Sequence, residues 1–481
     1  MTTNPVDIIS DLRLCIPELI IAIGSLLLLL MGLFSRKRTL FHLVVFPIIL
    51  LSIAFISLFI VRFDGIGFGR VYISDNFSHF VKAMILASSI VVFTMMSSCV
   101  HLKPFNRFEF PVIILISILG MLLMVSANDM ISFYMALELY SLALYIIIAM
   151  NRESMLSIES AVKYFVLGSF SSGFLLYGMS FIYGFTGYTD FSHIATSLFV
   201  GNNSFVVIIG VVFILVGLCF KMALVPFHMW IPDVYEGSPM FVAAFLATVP
   251  KFAITMSLFR VTSAFWPMIF DIQQILMLVS VLSMVLGSVA AIRQKNIKRL
   301  MAYSSISHAG YALLGFSSGT VLGLSAMIRY MVIYLVMVLG FFSCILSLRR
   351  KDGSNIQNIS DLSGLSQRSP FLACVLTVLI FSLAGIPPFA GFLGKYFLFL
   401  STIKRDLYFF AIVGLLSSVI SAYYYLYIIS AMWFNKPNDG LILMNRGTKL
   451  VVSTAGLFSI FYILFESALN GWVSMAISSL F

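Results

Sequence analysis

Five ionisable side chains stand inside long apolar runs of this 481-residue sequence. Glu138 lies in LELYSLALY (Leu137 to Tyr145), Lys221 in GLCFKMALVPFHMW (Gly217 to Trp230) and Lys251 in LATVPKFA (Leu246 to Ala253). His308 lies in AYSSISHAGYALLG (Ala302 to Gly315) and Lys395 in LAGIPPFAGFLGKYF (Leu383 to Phe397). At the centre of a bilayer a charged side chain costs about 2.5–3.5 kcal/mol on insertion scales, so such residues are functional candidates by default. The chemistry they suit is proton relay. Leaving water disfavours the charged form of any ionisable group, and a nearby opposite charge restores it. A buried lysine beside a carboxylate that can move therefore takes up a proton in one state and releases it in the other. Snorkelling to the interface accounts for Arg329 and Lys163. It fits Lys221, Lys251 and Lys395 poorly, because each has at least ten mostly apolar residues on one side. The structural readings are a fixed carboxylate partner for Glu138 and a hydrogen-bonded core imidazole for His308.

Prolines mark where the supporting helices break. Pro226 falls five residues after Lys221, and Pro387–Pro388 end seven before Lys395. Each proline removes a backbone donor and frees a carbonyl. Within a membrane such irregular backbone survives only where protein or a water-filled cavity satisfies it. Discontinuous helices in corresponding positions of two halves point to inverted repeats and an ion path.

Redox and metal chemistry have no comparable signature. The five cysteines, Cys15, Cys99, Cys219, Cys344 and Cys374, are scattered through apolar stretches. Clusters and structural zinc need grouped thiolates, so these read as small buried hydrophobes. There is no P-loop and no glycine-rich dinucleotide turn in a strand–helix context. No metal and no bound cofactor is expected on this chain.

The elements that must position these residues are membrane helices. Hydrophobic residues make up 61% of the chain and charged ones 10%, against about 45–50% and about 25% in a soluble protein. Apolar runs of roughly 20 residues span a bilayer. They place fourteen helices at roughly 16–35, 40–62, 80–100, 110–127, 129–149, 160–185, 205–228, 241–262, 270–292, 300–317, 320–348, 371–403, 408–434 and 450–473. The predicted fold is an all-α polytopic membrane protein. The first run, Ile16 to Phe34, is followed at once by Arg36-Lys37-Arg38 and reads as a retained helix, not a cleaved leader. With the N-terminus outside the cytoplasm, seventeen Lys and Arg fall in cytoplasmic loops. Seven fall on the far side: Arg13, Arg62, Arg70, Lys82, Arg260, Lys404 and Arg405. That bias supports both termini outside and an even helix count. It also accounts for much of the net charge of +10 without a nucleic-acid partner.

The motifs around these residues resemble a known family, subunit N of the proton-pumping NADH–quinone oxidoreductase, respiratory complex I, with its mitochondrial counterpart NADH dehydrogenase subunit 2. The resemblance runs from about Phe110 to Phe434. It rests most on ESAVKYFVLGSFSSGFLLYG (Glu159 to Gly178), FKMALVPFHMWIPDVYEGSP (Phe220 to Pro239), IKRLMAYSSISHAGY (Ile297 to Tyr311) and SLAGIPPFAGFLGKYF (Ser382 to Phe397). It implies an antiporter-like fold of fourteen helices with broken helices 7 and 12. It implies one membrane domain over 1–481, with inverted five-helix repeats at about 110–262 and 270–434 and flanking helices within 16–100 and 450–473. The family's glutamate of helix 5 matches Glu138, its lysines of helices 7, 8 and 12 match Lys221, Lys251 and Lys395, and a histidine of helix 10 matches His308. The Glu159–Lys163 pair of helix 6 fits with a softer role. After Gly-Ser-Pro the family often continues Thr-Pro-Val, whereas this chain has Met240-Phe241-Val242.

The resemblance further implies a proton-translocating subunit with NADH, flavin, iron–sulfur clusters and quinone in partner subunits and none on this chain. The partners would be other complex I membrane subunits, including antiporter-like paralogues, and the lipid bilayer. The location would be the bacterial inner membrane, or the mitochondrial inner membrane if organellar. Two other readings are a cation/proton antiporter subunit of the Mrp type and a scaffold that assembles the complex without pumping.

Overall fold

A computed structural model describes residues 8–34, 40–60, 63–98, 107–199, 205–350, 356–437, 441–443 and 446–480. Arg36, Lys37, Arg38, Arg62, Cys99, Lys103 and Lys351 lie outside the described residues. The first six helices are α1 (Ile16–Phe34), α2 (Phe41–Ile60), α3 (Asn76–Met96), α4 (Glu109–Ser126), α5 (Met130–Ala149) and α6 (Met155–Thr186). The seventh is split into α7a (Phe205–Met222) and α7b (Trp230–Gly237). Then come α8 (Met240–Ser263), α9 (Ile269–Ile292), α10 (Ile297–Ser317) and α11 (Val321–Leu346). The twelfth is again split, into α12a (Pro370–Ala384) and α12b (Ala390–Ile403), before α13 (Tyr408–Phe434) and α14 (Arg446–Ser478).

Among the described residues, twelve helices are long and apolar enough to cross a membrane. The two crossings that complete fourteen fail that test for physical reasons. α10 has the length but carries Ser304, Ser305, Ser307 and His308 at its middle. α12a and α12b are each too short alone and join through residues 385–389. Short helices at Ile8–Leu14 and Phe191–Phe199 and two small antiparallel pairs, Gly65–Gly67 with Tyr72–Ser74 and Leu348–Arg350 with Leu441–Leu443, lie outside the spans.

Helix starts follow from local chemistry. Asp75, Asp129, Ser154, Asn296 and Thr320 each place a side-chain oxygen on a free backbone N–H of the first turn, the usual way such orphan donors are satisfied. α8 is buried along its whole length and α11 almost so, whereas α1, α6, α13 and α14 leave broad apolar faces on the outside of the bundle. α10 packs against α7b, α8, α9, α11, α12b and α13, so it joins elements of both halves of the chain.

Three basic residues sit differently from the sequence reading. Lys82 and Arg260, assigned to outer loops, are 1% and 4% exposed and lie inside the bundle. Lys82 Nζ is 2.7 Å from Glu18 Oε1 and donates to the Tyr72 hydroxyl. Arg260 forks onto both carboxylate oxygens of Asp75 at 2.8 Å, while Asp75 also caps α3. Hydropathy alone places both near a span end; the carboxylates that hold them inside are remote in sequence. Arg329 does not snorkel: it is buried, its guanidinium lies 4.3 Å from the Phe397 ring, and it faces Glu466 at 3.8 Å.

The Asp75–Arg260 pair ties the start of α3 to α8. Removing one partner of a buried pair leaves an uncompensated charge and costs about 3–5 kcal/mol. Asp75→Ala is therefore expected to lower the thermal midpoint of the purified protein sharply, read by loss of helical circular dichroism in detergent. An unchanged midpoint would show that the pair carries no stability.

Candidate functional site

Glu138, Ser141 and Tyr145 follow one another at i, i+3 and i+7 and form one stripe of α5. Glu138 is half-buried and accepts a short hydrogen bond from the Ser172 hydroxyl of α6. Lys221, 7% exposed at the end of α7a, donates from Nζ to Ser141 Oγ at 2.8 Å and to the Tyr145 hydroxyl at 3.3 Å. Glu138 and Lys221 make no direct ion pair: no such contact within 4.0 Å occurs among the described residues. The amine instead sits one helical turn along the stripe, on a neutral oxygen. Gly168 of α6 makes this possible, because a Cβ there would lie 2.0 Å from the Tyr145 hydroxyl.

Lys221 owes its place to the break. Pro226 cannot donate, Ala223 turns into the left-handed region at φ +59°, and the helix stops. The freed groups are satisfied from elsewhere: the Trp230 indole donates to Phe220 O at 3.1 Å, and Val225 N donates to Ser283 Oγ of α9 at 2.9 Å. Trp230 then stacks on Tyr164, which meets Tyr145 edge-on. An aromatic row thus fixes α7b against α6 and α5.

Lys251 follows Pro250 inside the unbroken α8 and is 4% exposed. Its Nζ donates to Ser305 O at 2.8 Å and Ser305 Oγ at 3.0 Å, both on α10. Three residues on, His308 Nδ1 pairs with the Tyr330 hydroxyl of α11 at 2.5 Å, and Nε2 pairs with the Tyr425 hydroxyl of α13 at 3.1 Å. Tyr425 also meets Ser304 at 2.5 Å. A further turn along α10, the Tyr311 ring lies 4.9 Å from Lys395 Nζ, and its hydroxyl pairs with Ser417 at 3.0 Å. α10 therefore meets Lys251 at Ser305 and Lys395 at Tyr311, two turns further along.

Lys395, 4% exposed on α12b, donates to Ala384 O at 3.0 Å and Ser418 Oγ at 2.9 Å. Ala384 is the last residue of α12a, so the amine sits on a carbonyl that has no helical partner, at the negative end of the helix dipole. A cavity of about 350 Å³ opens beside it, lined by Gly385, Phe392, Lys395, Tyr396 and Ser418 among others.

Glu159 and Lys163 lie away from this row, on the more exposed part of α6. Lys163 bridges Glu159 at 2.7 Å and Asp233 of α7b at 2.8 Å, and Arg299 of α10 bridges Asp233 at 2.9 Å and Glu236 at 2.7 Å. Lys298 caps the end of α7b by donating to the carbonyls of Glu236 and Ser238. Charge thus reaches the start of α8 at Met240.

The hydroxyl partners were missed by sequence reading. Ser141 and Ser305 carried a usable signal, since each lies three residues from an ionisable residue on the same helix face. Ser172, Ser418, Tyr330 and Tyr425 carried none, because none of them lies within a turn of one of the five candidate residues along the chain.

The long bundle with two broken helices and buried lysines defines a membrane subunit of antiporter type. The family described as NADH:quinone oxidoreductase/Mrp antiporter, TM, matches residues 127–421. The chain is 49% identical to NADH-quinone oxidoreductase subunit N 1 of Rhizobium meliloti (strain 1021), over 96% of this chain and 97% of that one. Its fold matches a chain of respiratory complex I from Thermus thermophilus with bound Aureothin, at TM-score 0.82 and 30% identity, covering 95% of this chain and 98% of that one. A chain of the Mrp complex from Dietzia sp. DQ12-45-1b, 18% identical, shares the fold at TM-score 0.83, covering 98% of this chain and 97% of that one. The chain belongs to the NADH-quinone oxidoreductase subunit N family.

Gly385 supplies a local test. Its φ is +84°, and a Cβ there would lie 2.9 Å from Lys395 Cδ. Gly385→Ala is expected to cost about 1–2 kcal/mol for the left-handed backbone and to push the amine off Ala384 O. A lower thermal midpoint together with slower proton translocation per assembled complex is the expected result; unchanged values for both would contradict this geometry.

Proposed function

We propose that this chain moves protons across the bacterial inner membrane as the antiporter-like subunit N of NADH–quinone oxidoreductase, alongside other membrane subunits. The single observation that carries the reading is the nature of the lysine partners. Lys221, Lys251 and Lys395 are each held by hydroxyl or carbonyl oxygens, whereas Lys82 and Arg260 are held by carboxylates. A lysine clamped by a carboxylate is fixed as an ion pair. A lysine on a neutral oxygen can lose its proton without stranding an opposite charge in low dielectric.

The proposed roles follow from position. Glu138 biases Lys221 from the next turn of α5. Lys251 stores a proton, the row Ser305, Ser304, Tyr425, His308 and Tyr330 relays it, and Lys395 passes it on. Residues 110–262 and 270–434 serve as two inverted repeats. The five-helix offset between α7 and α12 reverses the direction of the chain, as an odd number of crossings must. Electrons pass from NADH to quinone on partner subunits, and this chain carries no redox centre of its own. The subunit N relatives favour this reading over an Mrp-type antiporter, and the unpaired amines favour it over a passive scaffold.

In inverted membrane vesicles Lys221→Ala and Lys251→Ala are each expected to cut NADH-driven proton translocation severely, with amounts of assembled complex near wild type. Full translocation by both variants at full assembly would remove this assignment and favour the scaffold.

A further inference from the structure

α7b has two faces with different chemistry. Asp233 and Glu236 face the ion-pair cluster with Lys163 and Arg299 at the end of the bundle that the loop charges place in the cytoplasm. Tyr235, between them in sequence, points the other way: it is 0% exposed. Its hydroxyl closes no hydrogen bond with any described residue. The hydroxyl's polar neighbour is Ser305, which also neighbours the equally unpartnered hydroxyl of Tyr334 on α11. Ser305 Oγ in turn accepts from Lys251 Nζ and donates to Ala302 O at 2.8 Å. Buried hydroxyls are almost always hydrogen-bonded, and one left unpaired beside a lysine–serine contact is free to give and take a proton there. Resting on the reading of Lys251 as a proton store, we propose that the Tyr235 hydroxyl is the relay through which Lys251 is loaded from the cytoplasm-side charge cluster.

The transfer balances without any other reactant. The Ser305 hydroxyl turns from Ala302 O and gives its proton to neutral Lys251 Nζ, and Tyr235 gives its phenolic proton to Ser305 Oγ. A proton drawn from cytoplasmic water past Asp233 and Glu236 restores the phenol. Two hydroxyls end as they began, and one amine has gained a charge. The carboxylates on the same short helix hold the cationic side chains of Lys163 and Arg299 at its far face, so α7b acts as the coupling piece between solvent and store.

The test uses the whole assembled complex in inverted vesicles, with translocation normalised to assembled complex. Tyr235→Phe keeps the ring packing and removes only the hydroxyl. It is expected to slow translocation about twofold or more and to enlarge the slowing in heavy water, as loss of a relay group would. Tyr235→His, which can accept and donate, is expected to recover much of the rate. Wild-type translocation in Tyr235→Phe with Lys251→Ala impaired would overturn the relay and leave the function standing. Wild-type translocation in both would overturn the relay and the reading of Lys251 as the proton store. Should Tyr235→Phe not assemble, Tyr235→His decides alone: translocation near wild type supports the relay, and translocation as poor as Lys251→Ala overturns it.

Discussion

Three lysine amines lie deep among the helices, and each must be held there by oxygens of the protein. That constraint shapes the rest of the molecule. An amine removed from water needs acceptors at fixed places, and a membrane helix offers few because its carbonyls are mostly used internally. The chain meets the need in two ways. It breaks helices so that end carbonyls become available, as Ala384 O does for Lys395. It also lines neighbouring helices with small hydroxyls, as Ser141, Ser305 and Ser418 do.

α10 is the element on which this arrangement turns. It is too polar to look like a typical span, and its polarity is what lets it touch both Lys251 and the surroundings of Lys395. Ser305, His308 and Tyr311 recur every three residues along one face, so the helix repeat itself lays out the row. Tyr330 and Tyr425 hold the imidazole of His308 from both ring nitrogens. They fix its orientation while giving each nitrogen a group with which a proton can be shared.

The long apolar helices were legible from apolar runs, and so were the two breaks, because proline's missing donor acts locally. The ionisable residues were legible for the same reason: scarcity of charge makes each one conspicuous. Partner identity was not. Lys82, read near a span end, and Lys221, read inside an apolar run, are both buried, yet Lys82 meets Glu18 and Lys221 meets Ser141. Glu18 is far from Lys82 along the chain, and nothing in either local pattern announces the contact. Lys221 shows the complementary case: Ser141, one turn along α5 from Glu138, takes the amine.

The same distinction sorts fold from function. Carboxylate-paired basic groups are structural: Lys82 ties α3 to α1 through Glu18, and Arg260 ties α8 to the start of α3 through Asp75. Amines on neutral oxygens line the middle. The most direct measurement compares Lys395→Met with the double variant Glu18→Gln, Lys82→Met in the assembled complex, reading translocation per complex and thermal midpoint together. The account predicts that Lys395→Met loses translocation and keeps its midpoint, while the double variant shifts its midpoint and keeps translocation. Loss of translocation in the double variant with Lys395→Met unimpaired would contradict it.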